Sequence, residues 1–276
     1  MKKIIVCILL YVSVASGLTE GQISADEMAG TLEKLYGRLR TSSEDSVSLR
    51  INDSIKLFIE NYIASDEVFT YNFNNLRYLG QITSSDSLVK IVTWNLILNN
   101  EQGRYFCYFI RKSPNGKANN VYCLTRNYND KSILTDTVYT QSDWYGALYY
   151  DIRPFYAENR KYWVLLGINY GNPFMTRKII DVVSFTPENK IIFGKKWFDT
   201  GSSVRFRHVL EYSASAVISL RFRSGNSIVF DHLVPLPPSA NDQRIYYGPD
   251  YSYDAYIFNN GLWSLSINID ARNEQK

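Results

Sequence analysis

Between residues 24 and 64 the apolar positions recur at helical spacing. Met28, Leu32, Leu35, Tyr36 and Leu39 form one stripe, and Ile51, Ile55, Phe58, Ile59 and Tyr62 form a second. Ser24 and Glu27 make a capping-box pair at the start of the first stripe. Thr41-Ser42-Ser43 is a natural link between the two. Residues 24–64 are therefore expected to fold as a helical hairpin. Each helix then has one apolar face that must be buried on something else.

Past Val68 the period shortens. Runs rich in Val, Ile, Tyr, Phe, Trp and Thr occupy 88–98, 104–112, 120–125, 162–168, 178–185, 190–193, 204–212, 216–222, 227–234, 253–258 and 262–269. Turn signals separate them, among them Asn115-Gly116, Asn189-Lys190, Ser224-Gly225-Asn226 and Asn259-Asn260-Gly261. Such short connections leave no room for crossover helices, so neighbouring strands should be antiparallel. The expected fold is mainly β, with antiparallel sheets over 68–276 and the helical hairpin at its N-terminal side. A sandwich, a barrel and a few propeller-like blades all fit this pattern. Residues 143–154 fit either a strand broken at Gly146 or a helical turn, and are taken as strand. Residues 235–251, with Pro235, Pro237, Pro238, Gly248 and Pro249, read as a long loop.

The first residues carry a different pattern. Lys2 and Lys3 precede an apolar stretch from Ile4 to Val14, and Ala15-Ser16-Gly17 supplies small residues after it. This reads as a secretory signal peptide over 1–17, cleaved after Gly17, with Ala15 as the alternative point, which leaves 18–276 as a single mature domain. The apolar stretch covers about half of the roughly 20 residues needed to cross a bilayer, and no run elsewhere is long enough. The expected location is export to the periplasm, the cell surface or the medium.

Charge changes the picture little. The chain of 276 residues has 30 Lys and Arg against 27 Asp and Glu, and losing Lys2 and Lys3 leaves 28 against 27. No basic stripe marks a nucleic-acid binder. The 15% aromatic content excludes intrinsic disorder.

Candidate chemistry is thin. Cys7 leaves with the signal, and Cys107 and Cys123 flank Pro114-Asn115-Gly116 symmetrically. They either form a cross-strand disulfide or pack as two small apolar residues. His208 and His232 are too few for a three-histidine zinc site, and each reads as a hydrogen-bonded structural residue. Asp231 and His232 would face opposite sides of a strand. No HExxH, GxSxG, Walker or GxGxxG motif occurs. No metal or cofactor is expected. Carboxylates are the one catalytic resource: Asp151, Asp181, Glu211, Asp231, Asp250 and Asp254 sit in or beside β runs, and a glycan hydrolase needs two of them facing across a cleft.

The 22 tyrosines are the most unusual feature. Neighbours such as Tyr149-Tyr150 and Tyr246-Tyr247 cannot both face one core if they lie on a strand. Some rings must then meet solvent, where they can stack on sugars or peptides. Tyr246, Tyr247, Asp250, Tyr251, Tyr253 and Asp254 fall within nine residues and make the candidate recognition surface. The competing reading is strand packing followed by a Pro-Asp turn.

Four stretches resemble an uncharacterised family of secreted Bacteroidota proteins: Ser87 to Leu96, Trp144 to Tyr150, Ile228 to Leu233 and Tyr247 to Ala255. The resemblance spans most of the mature chain and implies an exported protein of the bacterial cell envelope, with no activity to carry over. In that context Asp-Ser or Asp-Thr followed by an aliphatic residue is an O-glycosylation pattern. It points to Ser46, Ser54, Ser87 and Thr137, where about one match is expected by chance. Asp-Ser is also a helix-start signal, which alone accounts for the first two. The function expected is a non-catalytic envelope or extracellular module that binds glycan or peptide. The alternatives are a carboxylate-based glycan hydrolase and a purely structural envelope component.

Overall fold

The computed structural model describes residues 24–99, 103–114, 117–129, 131–223, 226–236 and 243–270. The segment 1–17 read as a signal lies outside them. Two helices, α1 (Ala25–Thr41) and α2 (Asp45–Ala64), form the expected hairpin. The capping box is present: Glu27 N–H donates to the Ser24 hydroxyl, and the Glu27 carboxylate accepts from Ser24 N–H at 3.0 Å.

Among the described residues the β strands form three sheets. The first holds β1 (Gly80–Thr83), β2 (Val89–Ile97), β3 (Gly103–Arg111) and β4 (Asn120–Asn127) in sequence order. The second contains β5 (Tyr139–Thr140), β6 (Leu148–Ala157), β7 (Arg160–Asn172), β8 (Met175–Phe185) and β9 (Ile191–Phe193), in the order β5-β9-β8-β7-β6. Strand β12 (His208–Ser213) joins it along the first half of β8. The third contains β10 (Phe198–Asp199), β11 (Val204–Arg205), β13 (Leu220–Phe222), β14 (Ser227–Pro235), β15 (Tyr247–Asn259) and β16 (Leu262–Ser266), in the order β11-β10-β16-β15-β14-β13. Pairing is antiparallel apart from β10 with β16, which is parallel.

The alternation within each strand fixes how the layers stack. On β2 and β3, Val92, Trp94, Leu96, Phe106, Tyr108 and Ile110 pack on the α1–α2 stripe, while Val89, Ile91, Tyr105, Cys107 and Phe109 face the second sheet. On β7 and β8, Trp163, Leu165, Ile179 and Val183 face the first sheet, and Val164, Leu166, Ile180 and Val182 face the third. The order is thus helices, sheet, sheet, sheet, with two sheets covered on both faces. Strands covered on both faces read as near-continuous apolar runs, as β7 and β8 do. Polar groups bridge the first two layers: Trp94 Nε1 donates to Asn52 Oδ1 at 2.9 Å. Buried Lys90 donates to Tyr62 Oη at 2.6 Å, and to Tyr71 O and Asn72 Oδ1 at 2.8 Å each.

Several expectations need correcting. The run at 204–212 is not one strand. Its first part, β11, belongs to the third sheet and its last part, β12, to the second, so the chain changes sheet at Phe206 and Arg207. Of 216–222 only Leu220–Phe222 is strand. The strand expected from residue 143 starts at Leu148. Before it Gly146 has φ +84°, and a side chain there would meet the Tyr105 ring at 2.7 Å. The long loop at 235–251 is shorter than expected, because β14 reaches Pro235 and β15 starts at Tyr247.

No disulfide joins Cys107 and Cys123. The β3–β4 register sets Cys107 opposite Leu124 and Cys123 opposite Tyr108. One residue of offset puts the two side chains on opposite faces of the sheet, Cys107 toward the second sheet and Cys123 toward the helices. Burial pushes the Cys107 thiol well up, so it stays protonated.

Candidate functional site

The tyrosine-rich segment is strand rather than a recognition loop. Tyr247 is buried, Tyr253 half-buried, and Asp254 points inward. Tyr246 is exposed beside it, at the end of the 3-10 turn Arg244–Tyr246, and on β6 Tyr149 is buried while Tyr150, at a register shift, is exposed. A second irregularity is a bulge, where His232 alone on β14 stands against Asp250, Tyr251 and Ser252 on β15. Tyr251 adopts φ +70° and is 92% exposed. Asp250 Oδ1 accepts from the Ser252 hydroxyl at 2.7 Å and Ser252 N–H at 3.0 Å, which holds its carboxyl below the usual range. The six candidate residues are therefore not one surface: Tyr246, Asp250 and Tyr251 are exposed, Tyr253 is half-buried, and Tyr247 and Asp254 belong to the interior.

Asp254 hydrogen-bonds one of the two histidines. His232 Nδ1 lies 2.8 Å from Asp254 Oδ2, and Asp254 Oδ1 accepts from Asn268 N–H at 3.0 Å. His208 Nδ1 lies 3.1 Å from Tyr256 Oη, and its Nε2 is buried without a partner among the described residues. Burial lowers the His208 pKa to about 4, against the opposing pull of Asp254. Both rings line a cavity of about 280 Å³ between β12 and β14, together with Glu211, Asp231 and Arg244. A His–Asp pair of this geometry can orient an imidazole as a base. Among the described residues no Ser, Thr or Cys side chain hydrogen-bonds to His232.

Each of the remaining carboxylates has a protein partner, Glu211 and Asp231 within this cavity and Asp181 and Asp151 outside it. Asp181 is fully buried against Arg207 at 2.9 Å, Glu211 pairs with Arg177 at 2.8 Å, Asp231 accepts from Ser219 N–H, and Asp151 accepts from Ile152 N–H. Burial raises the Asp181 pKa, although Arg207, Val182 N–H and Tyr145 pull the other way. That carboxyl is sealed in the interior, away from any cleft. Of the four acceptor positions for O-glycans, the Ser46 and Ser87 side chains are exposed, whereas Ser54 and Thr137 are half-buried.

A larger cavity draws on none of the candidate site residues singled out from the sequence. It is a cleft of about 1050 Å³ at the far end of β8. Two tight hairpin tips frame it. Glu158 and Asn159, at φ +51° and +56°, join β6 to β7, and Asn260 and Gly261, at +51° and +84°, join β15 to β16. Positive φ at both central positions is the turn geometry that matches strand twist. Five cations line the cleft: Arg111, Arg160, Lys161, Lys195 and Lys196. Glu158 is the single carboxylate among its lining residues.

Lys195 Nζ pairs with Glu158 at 2.7 Å and lies 5.2 Å and 5.6 Å from the Tyr162 and Trp197 ring centres. The pairing keeps the exposed Glu158 carboxyl below the usual range. Lys161 pairs with Asp86 at 3.1 Å, and Arg111 lies over Phe185. Arg160 and Lys196 project freely into solvent. Residues from well-separated segments converge here, so no local motif announces the cleft. The Arg160-Lys161 and Lys195-Lys196 pairs beside turns were the available signal.

No protein-family model matches the chain, and neither the curated proteins nor the solved structures yield a match. Among the described residues, no helix is long and apolar enough to cross a membrane.

Proposed function

We propose that the protein is an exported, non-catalytic binding module of the cell envelope whose cationic cleft takes an acidic glycan or peptide. One observation carries this reading: five cations and one carboxylate line a single cleft in a chain of nearly balanced charge. Segregation of that kind concentrates an anionic partner at the site and speeds its capture. The cleft volume suits a few sugar units or a short peptide. The hydrolase alternative, which needs two facing carboxylates, rests on the His232–Asp254 cavity, where Glu211, Asp231 and Asp254 are each already held by protein hydrogen bonds. Export with cleavage after Gly17, and O-glycosylation at the exposed Ser46 and Ser87, belong to the same proposal.

The test is titration calorimetry of the purified protein with polygalacturonate, a neutral glucan and a Glu-rich peptide. One acidic ligand should bind, the neutral glucan should not, and added salt should weaken the complex. Arg160→Glu combined with Lys196→Glu should weaken it at least about tenfold, roughly 1.4 kcal/mol. Equal binding by this variant, or no binding by either acidic ligand, would overturn the reading. An intact mass equal to that of the bare polypeptide would remove the glycosylation.

A further inference from the structure

Arg177 is an unusual place for a cation. It lies on β8, 1% exposed, directly opposite Glu211 on β12. Its Nε donates to Glu211 Oε1 at 2.8 Å and its Nη1 to Asn169 Oδ1 at 3.2 Å. Its Nη2 is buried and has no partner among the described residues. A buried guanidinium N–H left without an acceptor costs on the order of 1–3 kcal/mol. Such a group in a folded chain calls for an occupant that the chain does not supply.

Arg177 forms part of the wall of a cavity of about 480 Å³, at the opposite end of β8 from the cationic cleft. Arg126 and Lys131 line it too, and neither has an ion pair among the described residues. Ile133, Leu134 and Tyr139 add apolar wall. Asp143, the one carboxylate among the described lining residues, already accepts from Thr140 N–H at 2.6 Å and the Thr140 hydroxyl at 2.7 Å. The guanidinium occupies space that a glycine leaves open. Gly171, in the β7–β8 irregularity at φ +50°, lies so close that a side chain there would meet Nη1 at 2.7 Å.

We propose that this cavity is a carboxylate-binding site for a small organic acid. One carboxylate oxygen accepts from Arg177 Nη2, Arg126 and Lys131 hold the anion electrostatically, and the body of the ligand lies against Ile133, Leu134 and Tyr139. Glu211 already balances the Arg177 charge, so the site offers a directed donor with modest excess positive charge. That combination suits a monoanion with an apolar or sugar body and penalises a phosphate dianion, whose desolvation costs more. Nη2 is closed to bulk solvent, so binding includes a slight outward easing of the 131–134 segment, which belongs to no strand.

Calorimetry of the purified protein with benzoate, glucuronate, benzamide and inorganic phosphate tests this. Benzoate or glucuronate should bind saturably, one per chain, and the stronger of the two identifies an apolar or a sugar body. Benzamide, the uncharged analogue of benzoate, and phosphate should each bind at least about tenfold more weakly than the stronger carboxylate. Arg126→Ala with Lys131→Ala, both outside the core, should weaken that carboxylate about tenfold while thermal unfolding stays unchanged. The Arg160→Glu, Lys196→Glu variant should bind it as the wild type does, which separates this site from the cleft. Absence of saturable carboxylate binding, equal binding of benzoate and benzamide, or undiminished binding by the Arg126, Lys131 variant would each overturn the proposal.

Discussion

Arg207 and Asp181 are both closed to solvent, and their contacts reach well beyond each other. Arg207 Nε donates to Asp181 Oδ2, Nη1 to Leu134 O and Thr137 O, and Nη2 to Phe193 O. Asp181 also accepts from Tyr145 Oη and Val182 N–H, and Tyr145 continues through Tyr149 to Trp144. The network ties the irregular segment 133–138 to the middle sheet. Removing one charge of a buried pair strands the other. Asp181→Asn should therefore lower the unfolding free energy by about 3–5 kcal/mol in urea titration. Replacing both partners with Leu and Met should not restore stability, because three backbone carbonyls then lose their donor. Full recovery in the double variant would show the network to be dispensable.

At the scale of elements, the hairpin and most β runs were legible because helical period and strand alternation are local properties. Tyr247 to Tyr253 was not, because Pro249 and a surplus of turn-forming residues disguise a bulged strand. The Cys pair failed for a similar reason. A turn signal centred on residue 115 places the hairpin, yet a one-residue difference in register inverts which face each thiol meets. The cleft and the Arg177 cavity were invisible, since segments far apart in the chain supply their walls. The bulge makes its own prediction. Tyr251 holds a left-handed backbone with a side chain almost wholly in solvent, so nothing visible offsets its strain. Tyr251→Gly should raise stability by up to about 1 kcal/mol in chemical denaturation. Loss of stability would mean that the ring is packed in solution.

For the whole molecule, the tyrosine count finds its explanation in the interior. Among the described residues, eleven tyrosines are buried, of 22 in the chain. Burial raises the phenol pKa values of Tyr36, Tyr62, Tyr105, Tyr108, Tyr145, Tyr149 and Tyr256, and takes Tyr212 to about 12. Above pH 10 the unfolded chain releases phenolic protons that the folded chain retains, so stability falls as pH rises. Lys90, lowered by burial to about 8, acts oppositely between there and its ordinary 10.5. On the acid side His208, at about 4 folded and 6.5 unfolded, refuses a proton that the unfolded chain accepts. Stability should fall from pH 6.5 toward 4, by as much as about 3 kcal/mol. Denaturation midpoints across pH should show both limbs, and His208→Gln should flatten the acid one. An unchanged acid limb would refute the assignment to His208.

The hairpin tips that frame the cationic cleft carry one more consequence. Glu158, Asn159, Asn260 and Gly261 stand at the ends of their ladders, outside the paired rungs. The strands they join keep their register without them. Side chains at those tips can therefore be exchanged at little cost to folding, provided the left-handed turns are kept. Such a molecule separates a conservative interior from an adaptable rim, so that one scaffold can be retuned from one anionic partner to another by changing its corners alone.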